Sequence, residues 1–581
     1  MDTITMEQEK DTAEKKTKGK QMVSGSDALI LSLLEEKVDT IFGYPGGQIM
    51  PIYDALYNYQ DKIRHILVRH EQGAAHAAQA YAQTSGKTGV CFATSGPGAT
   101  NLITGIANAY GDSIPVVFIT GQVPSSLLGS DAFQETDVVG LSMPVTKWNY
   151  QVTRASEIPK ALAKAFIVAN TGRKGPVLID ITKNAQNEEF LFEYERFPKI
   201  RSYNPFPQLD MEKVKEAAGL INNSRKPMMF VGHGALLSNA EKEVIQLSEK
   251  AGIPAACTLL GLTAFPADHP NYVGMLGMHG NFGPNVKTNE SDLIIAVGMR
   301  FDDRVTGDLK RYASKAKVVH IEIDAAELDK NVKTTVAIHS DARSAVNALL
   351  PYIEFNQHQE WFEEFRACDK KEFDEVIKRE CYPSSGKIMM GEIVRKLAEK
   401  TNGQAIVTTD VGQQQMIAAR YYKHVCPNNF ITSGGLGTMG FGLPAAIGAK
   451  IGAPGKEVVM IAGDGGFQMT MQEMGTIIQA GIAIKMMVFN NNFLGMVRQW
   501  QDMFFEKRYS ETHMSTPEFV SIANAYGIRG EKVTEREQLD GALSRMLDCK
   551  ESYILEIMVE NEANIFPMVE PGASVADIRL K

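Results

Sequence analysis

Short apolar runs recur along the chain, and many of them end abruptly in glycine or in a polar residue. Examples are residues 40–43, 63–68, 457–462 and 486–489. Runs of this length that are bounded by glycine are typical of strands buried in a parallel sheet. Segments with helical spacing of apolar residues lie between the runs, beginning with 24–38. The alternation predicts an α/β fold built from doubly wound parallel sheets.

Two stretches rich in charged and aromatic residues interrupt this alternation and predict three domains. A length of 581 residues is enough for three or four domains that each bury a core. The second stretch has roughly helical spacing, which predicts a surface helix. The expected segments are a polar tail (1–20), a first domain (21–185), a linker (186–205), a central domain (206–350), a second linker (351–383), a third domain (384–560) and a C-terminal tail (561–581).

The composition is that of an ordinary globular protein, with 44% hydrophobic and 22% charged residues. No apolar run approaches the roughly 18 residues that a membrane span requires. A net charge of −9 with both signs interspersed argues against a nucleic acid partner. The six cysteines are scattered, which argues against a disulfide framework or a zinc site, and the first 20 residues lack the apolar core of a secretory signal. We therefore expect a cytoplasmic protein that is not integral to a membrane.

The most informative stretch ends in Gly-Asp-Gly-Gly at 463–466, and the next apolar run ends in Asn490 and Asn491. Helical composition over 469–480 joins the two runs into a βαβ unit. A right-handed crossover places Asp464 and Asn491 together at the carboxyl ends of adjacent strands. A carboxylate and an amide oxygen beside glycines suit a Mg²⁺ ion that also holds phosphate oxygens, although a glycine-rich turn alone also suits a ligand-free crossover. The spacing of the two halves resembles the diphosphate-binding motif of thiamin diphosphate enzymes.

Glu71 follows the strand predicted over 63–68 and precedes an Ala-rich helix over 75–82. A carboxylate at a helix N-terminus is most often only an electrostatic cap. Thiamin chemistry gives a second interpretation, because a carboxyl group that shares a proton with the aminopyrimidine nitrogen promotes the tautomer that deprotonates the thiazolium carbon. Beside Asp464 and Asn491, the catalytic interpretation is the favoured one.

Two other regions are rich in glycine but have different implications. The loop 433–442 carries many glycines before a small-residue helix over 443–451. Each glycine costs about 1 kcal/mol relative to alanine in a helix interior, so close approach of a ligand to the backbone is the better explanation. The central domain lacks a complete Gly-x-Gly-x-x-Gly motif with a downstream acid, so a standard dinucleotide site is not predicted.

From about residue 23 to 575 the chain resembles the acetohydroxyacid synthase family, also called acetolactate synthase. Segments 274–280, 300–307 and 495–500 separate it from other thiamin enzymes. Two positions depart from the expected pattern: Gln48 stands where a small residue is common, and Gly466 where Ala or Ser is usual. These departures leave fine substrate preference and inhibitor affinity open.

The resemblance implies sites for thiamin diphosphate, Mg²⁺, FAD and substrate. Implied catalytic residues are Glu71, Gln134, which is expected close to the reacting carbon, and Lys183. The implied thiamin diphosphate site comprises Glu71, Gly412, Gln413, Gln414, Met439, Gly463, Asp464, Gly465, Gly466, Asn491 and Met496, with Asp464, Asn491 and the backbone of Phe493 as metal ligands. The implied FAD site comprises Arg173, Gly232, Gly234, Thr258, Leu259, Met278, His279, Gly298, Arg300, Asp302, Glu322 and Ile323. Phe133, Arg304 and Trp500 are the implied substrate residues.

The family also implies the reaction and the assembly. It condenses a pyruvate-derived hydroxyethyl group on thiamin with pyruvate or 2-ketobutyrate, releasing CO₂, in the first common step of valine, leucine and isoleucine biosynthesis. FAD does no net redox work, and sulfonylurea herbicides block the substrate channel. The resemblance implies a homodimer or a dimer of dimers with active sites at subunit interfaces, and a small regulatory subunit.

Two alternatives stay open at this point. A pyruvate oxidase would use the same domain order and a redox-active FAD, but the segments around Arg304 and Trp500 favour the carboligase. A flavin-binding or regulatory module without catalysis would be expected to lack Glu71 or Asp464, and both residues are present.

Overall fold

The structure is a computed structural model that describes residues 21–201 and 203–581. The predicted polar tail over 1–20 lies outside the described residues. The chain divides into two compact units, of which the first comprises residues up to Ala82 together with Gly86–Asn204. The second comprises Gln83–Ser85 and Pro205–Lys581. Three six-stranded parallel sheets form the framework, which confirms the predicted α/β class.

The first unit contains one six-stranded sheet and a two-stranded ribbon. Its strands are β1 (Gln21–Ser24), β2 (Thr40–Gly43), β3 (Arg64–Leu67), β4 (Gly89–Ala93), β5 (Val116–Gln122), β6 (Trp148–Val152), β7 (Val177–Thr182) and β8 (Glu189–Phe192). Its helices are α1 (Gly25–Glu35), α2 (Met50–Tyr57), α3 (Glu71–Ser85), α4 (Pro97–Asn101), α5 (Ile103–Asp112), α6 (Val138–Ser142), α7 (Ile158–Asn170) and α8 (Lys183–Asn187). The strand order of the sheet is β3-β2-β4-β5-β7-β6, and all neighbours are parallel.

The linker predicted over 186–205 is partly regular structure. Its strand β8 pairs antiparallel with β1, with Gln21 opposite Phe192. Four residues are too few for periodicity to reveal a strand, and the pairing partner lies at the far end of the unit's sequence. The start of this segment is therefore part of the first unit.

The second unit contains the other two sheets. The central strands are β9 (Pro227–Val231), β10 (Ala255–Cys257), β11 (Tyr272–Met275), β12 (Leu293–Val297), β13 (Lys317–Glu322) and β14 (Val336–His339), in the order β11-β10-β9-β12-β13-β14. The strands of the third sheet are β15 (Ile406–Thr409), β16 (Phe430–Ile431), β17 (Val458–Gly463), β18 (Lys485–Asn490), β19 (Arg529–Val533) and β20 (Tyr553–Met558), in the order β16-β15-β17-β18-β20-β19. A continuous apolar core includes residues of both sheets, among them Val297 and Val407.

Helices cover both sheets of the second unit. They are α9 (Met211–Asn223), α10 (His233–Leu237), α11 (Glu241–Ala251), α12 (Phe282–Thr288), α13 (Asp303–Thr306), α14 (Ala342–Leu349), α15 (Gln359–Glu372), α16 (Lys378–Cys381), α17 (Met390–Thr401), α18 (Gln413–Tyr421), α19 (Gly442–Gly452), α20 (Asp464–Thr470), α21 (Met474–Ala480), α22 (Gly495–Phe504), α23 (Phe519–Ala525) and α24 (Arg536–Asp548). None of the helices in the described ranges is long and apolar enough to cross a membrane.

Two helix predictions in this unit need correction. The helix predicted over 469–480 begins earlier, at Asp464, and a short 3₁₀ turn separates α20 from α21. Its predicted end is confirmed, since Gly481 caps α21 in the left-handed conformation with φ of 62°. The predicted surface helix in 351–383 is also more than a linker, because Trp361 and Phe365 on α15 are buried in an apolar cluster with strands of the central sheet.

Candidate functional site

Asp464 and Asn491 meet at the carboxyl edge of the third sheet, as the βαβ pattern predicts. Strands β17 and β18 are parallel neighbours, with Gly463 opposite Phe489. The Asp464 side chain is 1% exposed, and its Oδ1 accepts the Gly465 N–H at 3.0 Å. Burial raises the pKa of the Asp464 carboxyl to about 6, although hydrogen bonds from backbone amides, including that of Asn492, lower it. Its Oδ2 is buried and has no hydrogen-bond partner within the described part of the chain.

The turn after β18 is shaped by its three asparagines. Asn491 Oδ1 accepts the Phe493 N–H at 3.0 Å, and Asn492 adopts a left-handed φ of 58°. Below them, Asn490 Nδ2 donates to the buried Glu556 carboxylate at 2.8 Å. The turn therefore has a fixed shape and presents Asn491 and the Phe493 backbone beside Asp464.

The segment 412–414 lies against the same turns. Gly412 has a φ of 148°, which side-chain-bearing residues rarely adopt, and helix α18 begins directly after it. A Cβ placed on Gly463 would lie 3.2 Å from Gln414 Oε1, and one on Gly495 would lie 2.4 Å from Gln413 Oε1 and 2.9 Å from Asn491 Nδ2. The implied diphosphate and metal residues of the second unit are therefore in mutual contact.

Gln413 also links this site to the C-terminal tail. Its Nε2 donates to Gln499 Oε1 and to the Ala563 carbonyl, both at 3.0 Å. Gln499 is fully buried, and its Oε1 accepts the Ile565 N–H at 2.8 Å. The tail predicted over 561–581 is thus attached to the start of α18 through Gln413, an implied thiamin diphosphate residue, and through Gln499, which has no implied role of its own.

The glycine-rich loop 433–442 carries Met439, which is half-buried. Gly440 has a left-handed φ of 86° and packs against Met469 and Thr470, at the end of α20. A Cβ on Gly442 would lie 2.8 Å from the Asp410 nitrogen. At Gly442, the backbone of Asp410 comes close enough to require glycine. This requirement holds in addition to any approach of a ligand to the loop.

Trp500 lies on α22 in a small apolar cluster. This cluster joins the helix to the C-terminal tail through Phe566 and Met568, and it includes Met278. Trp500 is half-buried, and its ring meets Phe504 edge to face at 5.5 Å between centroids.

Arg304 is exposed and approaches Met278, with 3.8 Å between Arg304 Nη1 and the Met278 sulfur. Two of the three implied substrate residues are thereby grouped around Met278, whereas Phe133 belongs to the first unit. Met496 is the second residue of the same helix, directly after Gly495.

The implied FAD residues of the second unit cluster mainly at the carboxyl edge of the central sheet. Gly232 and Gly234 follow β9 and pack on Gly298, whose carbonyl accepts the Gly234 N–H at 2.8 Å. Glu322 ends β13, and its Oε1 accepts the Ile323 N–H at 2.9 Å. The other members of this group follow neighbouring strands and are Thr258, Leu259, His279, Arg300 and Asp302.

His279 is the implied FAD residue with the most perturbed titration. Burial lowers its pKa to about 4, and the charges of Arg420 and Arg304 act in the same direction. Its Nδ1 is buried and has no hydrogen-bond partner in the described ranges. The nearby Arg420 forms a buried ion pair with Glu372, which also accepts the Phe282 N–H at 2.6 Å. This pair fixes the segment that carries His279 and was not foreseen from the sequence.

In the first unit, Glu71 begins α3 and is 8% exposed. Its Oε2 accepts a hydrogen bond from Asn101 Nδ2 at 2.9 Å. A Cβ on Gly98 would lie 3.2 Å from its Oε1, so the first turn of α4 leaves space for the carboxylate. The carboxylate contributes to raising the pKa of the buried Cys91 thiol, after the larger effect of burial. Glu71 is therefore a buried, oriented carboxylate rather than an exposed helix cap.

Of the other implied residues of this unit, Phe133, Gln134 and Arg173 lie on loops, and Lys183 begins α8. Phe133 is 85% exposed, and Gln134 adopts a left-handed φ of 60° with its backbone against Gly96. Lys183 Nζ donates to the Gly47 carbonyl at 3.1 Å. Arg173 Nε donates to Ser113 Oγ at 3.0 Å.

Gln48, whose effect was left open, is the next residue after Gly47. Its N–H donates to Thr94 Oγ1 at 3.2 Å, and its side-chain oxygen is buried without a hydrogen-bond partner in the described chain. A Cβ on Gly121 would lie 2.6 Å from the Gln48 carbonyl oxygen. The backbone of this turn is therefore fixed beside Lys183.

Comparison with known proteins agrees with this geometry. Residues 23–141, 214–349 and 410–557 match the N-terminal TPP binding, central and C-terminal TPP binding domains of thiamine pyrophosphate enzymes. The chain is 45% identical to the acetolactate synthase isozyme 2 large subunit of Escherichia coli (strain K12), over 96% of this chain and 99% of that protein. The chain belongs to the acetolactate synthase large-subunit family. An acetolactate synthase of Arthrospira platensis is 44% identical, over 96% of this chain and 97% of that protein. A probable acetolactate synthase large subunit of Methanocaldococcus jannaschii is 43% identical, over 96% of this chain and 95% of that protein.

Within this acetolactate synthase family member, sequence reasoning missed residues that hold the loops of the site. Asp410 directly follows β15, which ends at Thr409. Gln122 ends β5, and its Nε2 donates to the Thr136 carbonyl at 2.9 Å and to the buried Asp180 at 3.1 Å. Their place in the sequence could have indicated them, since both Asp410 and Gln122 lie where a strand of a parallel sheet reaches its carboxyl edge.

Proposed function

We propose that this protein is a thiamin diphosphate-dependent carboligase that joins a two-carbon unit from pyruvate to a second 2-ketoacid, with release of CO₂. The observation that carries the proposal is the buried Asp464, whose Oδ2 has no partner among the described residues, beside the Asn491 turn. Burying a carboxylate oxygen without a hydrogen-bond partner costs free energy unless an ion or a ligand contacts that oxygen. The names of the relatives favour acetolactate formation over the oxidase alternative.

The residues present fit Mg²⁺ and a diphosphate. Asp464, Asn491 and the Phe493 carbonyl supply oxygen donors, which is the donor set that Mg²⁺ prefers. The pKa of the Asp464 carboxyl is near 6, so it is largely ionised at neutral pH, and a cation would lower that pKa further. The start of α20 at 464–466 would bring backbone N–H groups close to the anion that such an ion would hold, although the Gly465 N–H donates to Asp464 Oδ1.

Thiamin diphosphate, when bound, supplies the carbanion that adds to a ketone and accepts the electrons left by CO₂. The protein's part is to bind, orient and move one proton. Glu71 would hold that proton at a ring nitrogen of the cofactor, and Asn101 fixes the orientation of the carboxylate through Oε2. Gln134, in its left-handed conformation, would present its amide to the substrate, and Lys183 would line the approach.

FAD as a bound group is part of the proposal. The glycine turns after β9 and β12, the Glu322 carboxylate after β13 and the unpaired Nδ1 of His279 fit a nucleotide at the carboxyl edge of the central sheet. The resemblance to the family implies a flavin that does no net redox work, so we propose a structural flavin.

The assembly that we propose is a homodimer, or a dimer of dimers, whose sites combine Glu71 of one copy with Asp464 of another. Three apolar side chains near the diphosphate residues are exposed, which supports a second subunit that covers them. They are Leu436, Met469 and Val497. The large-subunit names of the relatives support a small regulatory subunit as a further partner. The six free cysteines support a reducing compartment, such as the cytoplasm.

The first test is acetolactate formation from pyruvate with added thiamin diphosphate, Mg²⁺ and FAD. Asp464→Ala should abolish detectable Mg²⁺-dependent cofactor binding in calorimetric titration, because the ion joins protein to phosphate. Asp210→Ala is the matched control: Asp210 is likewise an acidic residue at a helix start, accepting the Glu212 and Lys213 N–H groups, but in the central domain. Unchanged cofactor affinity in Asp464→Ala would show that the central motif does not bind the metal.

A further inference from the structure

Asp410 lies directly after β15 and is 1% exposed. Its Oδ1 accepts the N–H groups of Val411 at 2.8 Å and Gly440 at 3.1 Å. Its Oδ2 accepts the Gly442 N–H at 3.0 Å. A single buried carboxylate therefore joins the end of β15 to the glycine-rich loop, through the residues on either side of Phe441.

The same carboxylate also contacts the helix that follows the metal ligand. A Cβ placed on Gly466 would lie 2.2 Å from Asp410 Oδ1 and 2.6 Å from Asp410 Cγ. The Asp410 backbone carbonyl in turn accepts a hydrogen bond from Gln414 Nε2 at 3.1 Å. Four segments of the proposed cofactor site thus converge on one residue: the end of β15, the start of α18, the glycine-rich loop and the start of α20.

We propose that Asp410 is a positioning residue that holds the glycine-rich loop, and with it Met439, at a fixed distance from the diphosphate turn 463–466. The inference rests on the proposed function, because it assigns a purpose to the spacing between these two segments. Backbone N–H donors face both carboxylate oxygens, so the carboxylate fixes the main chain itself rather than neighbouring side chains. Gly440 directly follows Met439, and loss of its hydrogen bond would free the backbone that carries Met439.

The same contacts explain the glycine at 466. The Asp410 carboxylate occupies the space that a side chain there would fill, so a larger residue would have to displace a hydrogen-bonded anion. Gly466 is therefore part of the Asp410 arrangement.

The experiment compares Asp410→Asn with the wild type, using the full-length chain in both cases. The amide keeps the size of the side chain but turns one acceptor into a donor that faces a backbone N–H. We expect the Kd for thiamin diphosphate with Mg²⁺ to rise about ten- to hundredfold, the size of losing a hydrogen bond to a charged group. The Kd for FAD, measured by flavin fluorescence on the same preparation, should stay unchanged.

Asp292→Asn is the matched control. Asp292 also accepts backbone N–H groups, from Arg225 at 2.8 Å and Lys226 at 3.0 Å, but it precedes β12 in the central sheet. This variant should bind both cofactors like the wild type. Gly442→Ala is a second variant for the case that Asp410→Asn does not fold. It keeps the carboxylate, but its Cβ would lie 2.8 Å from the Asp410 nitrogen and 3.0 Å from the Asp410 Cβ, so the loop has to shift away from Asp410. This variant should raise the Kd for thiamin diphosphate by a smaller factor without changing that for FAD.

Three results separate the outcomes. Thiamin diphosphate affinity that stays at the wild-type value in Asp410→Asn, or in Gly442→Ala if the first variant does not fold, overturns the positioning role. Equal losses of FAD and thiamin diphosphate affinity, with a lower melting temperature, would also overturn it and show a general structural role. Failure of the wild type to bind thiamin diphosphate would refute the proposed function itself.

Discussion

The first unit's sheet and the third sheet both carry a buried aspartate among the strands that lead to the proposed site, but different groups satisfy the two carboxylates. Asp180, on β7, accepts from the side chains of Thr120 at 2.7 Å, Gln151 at 2.9 Å and Gln122 at 3.1 Å. Asp410 accepts from backbone N–H groups instead. Burial raises the pKa of the Asp180 carboxyl, and the three side-chain donors oppose the shift.

This difference determines which residues each loop requires. Backbone donors must come close to the carboxylate, so the third sheet needs glycine at 442 and 466. Side-chain donors reach from a distance, and in the first unit Gln122 connects the aspartate to the loop of Phe133 and Gln134. We therefore expect single replacements in the first unit to alter rates and selectivity, and those in the third sheet to alter cofactor binding.

The largest effect should come from replacing Glu71, which belongs to the first unit, where we expect replacements to alter reaction rates. Glu71→Gln keeps the hydrogen bond with Asn101 but cannot exchange a proton, so activity should fall by about 100- to 10,000-fold. Thiamin diphosphate affinity should change little. Steady-state assays at saturating cofactor, combined with calorimetric titration, check both points.

A mixing experiment sharpens this prediction. Glu71→Gln and Asp464→Ala are each expected to be inactive alone. If each site combines two copies, about half of the dimers in a randomly reassembled equal mixture are hybrids with one intact site of two, so the mixture should recover about a quarter of the wild-type activity. Absence of recovery, with hybrids demonstrated by mass, would contradict the shared site. Retention of full activity by Glu71→Gln would remove the catalytic assignment.

The framework was predictable from the sequence, while the residues that fix the loops were not. Alternation of apolar runs with helical segments predicts parallel sheets, and three are present. The spacing of Asp464 and Asn491 predicts that both lie at the carboxyl edge of the third sheet. Both signals are local in the sequence. The role of Asp410 depends on Gly440 and Gly442, about thirty positions away, and that of Gln122 depends on Thr136 and Asp180. Such contacts are set by tertiary packing and leave no periodic pattern in the sequence.

Gln122 gives the next prediction, of intermediate size. Gln122→Leu removes one donor from Asp180 and the hydrogen bond to the Thr136 carbonyl, so the loop that carries Gln134 should lose its anchor. We expect kcat/KM to fall about tenfold, with a loss of about 1–3 kcal/mol in the free energy of unfolding for the under-satisfied carboxylate. Denaturant titration and initial rates measure the two quantities.

Gln151→Leu is the matched control for this variant. Gln151 also donates to Asp180, at 2.9 Å, but no hydrogen bond connects it to the Thr136 carbonyl. The two variants should lose similar stability, while only Gln122→Leu should lose rate. Equal rate losses in both would show that Asp180 supports the sheet in general and that the loop has no specific anchor.

The smallest effect should be on selectivity and comes from Trp500 on α22. Its indole packs in the apolar cluster with Met278, Phe566 and Met568, so a pure packing role competes with a substrate role. If the half-buried ring contacts the alkyl group of the second ketoacid, Trp500→Leu should reduce the preference for 2-ketobutyrate over pyruvate by up to about tenfold, since one methylene in an apolar pocket is worth about 1–3 kcal/mol. Formation of acetolactate from pyruvate alone should largely persist, because this replacement leaves Asp464 and the Asn491 turn unchanged. Phe504→Leu is the control, since Phe504 meets Trp500 edge to face in the same cluster and carries no assigned contact to substrate. A competition assay with both ketoacids decides: a shifted product ratio in Trp500→Leu alone supports recognition, whereas an unchanged ratio with equal stability loss in both variants identifies Trp500 as core packing.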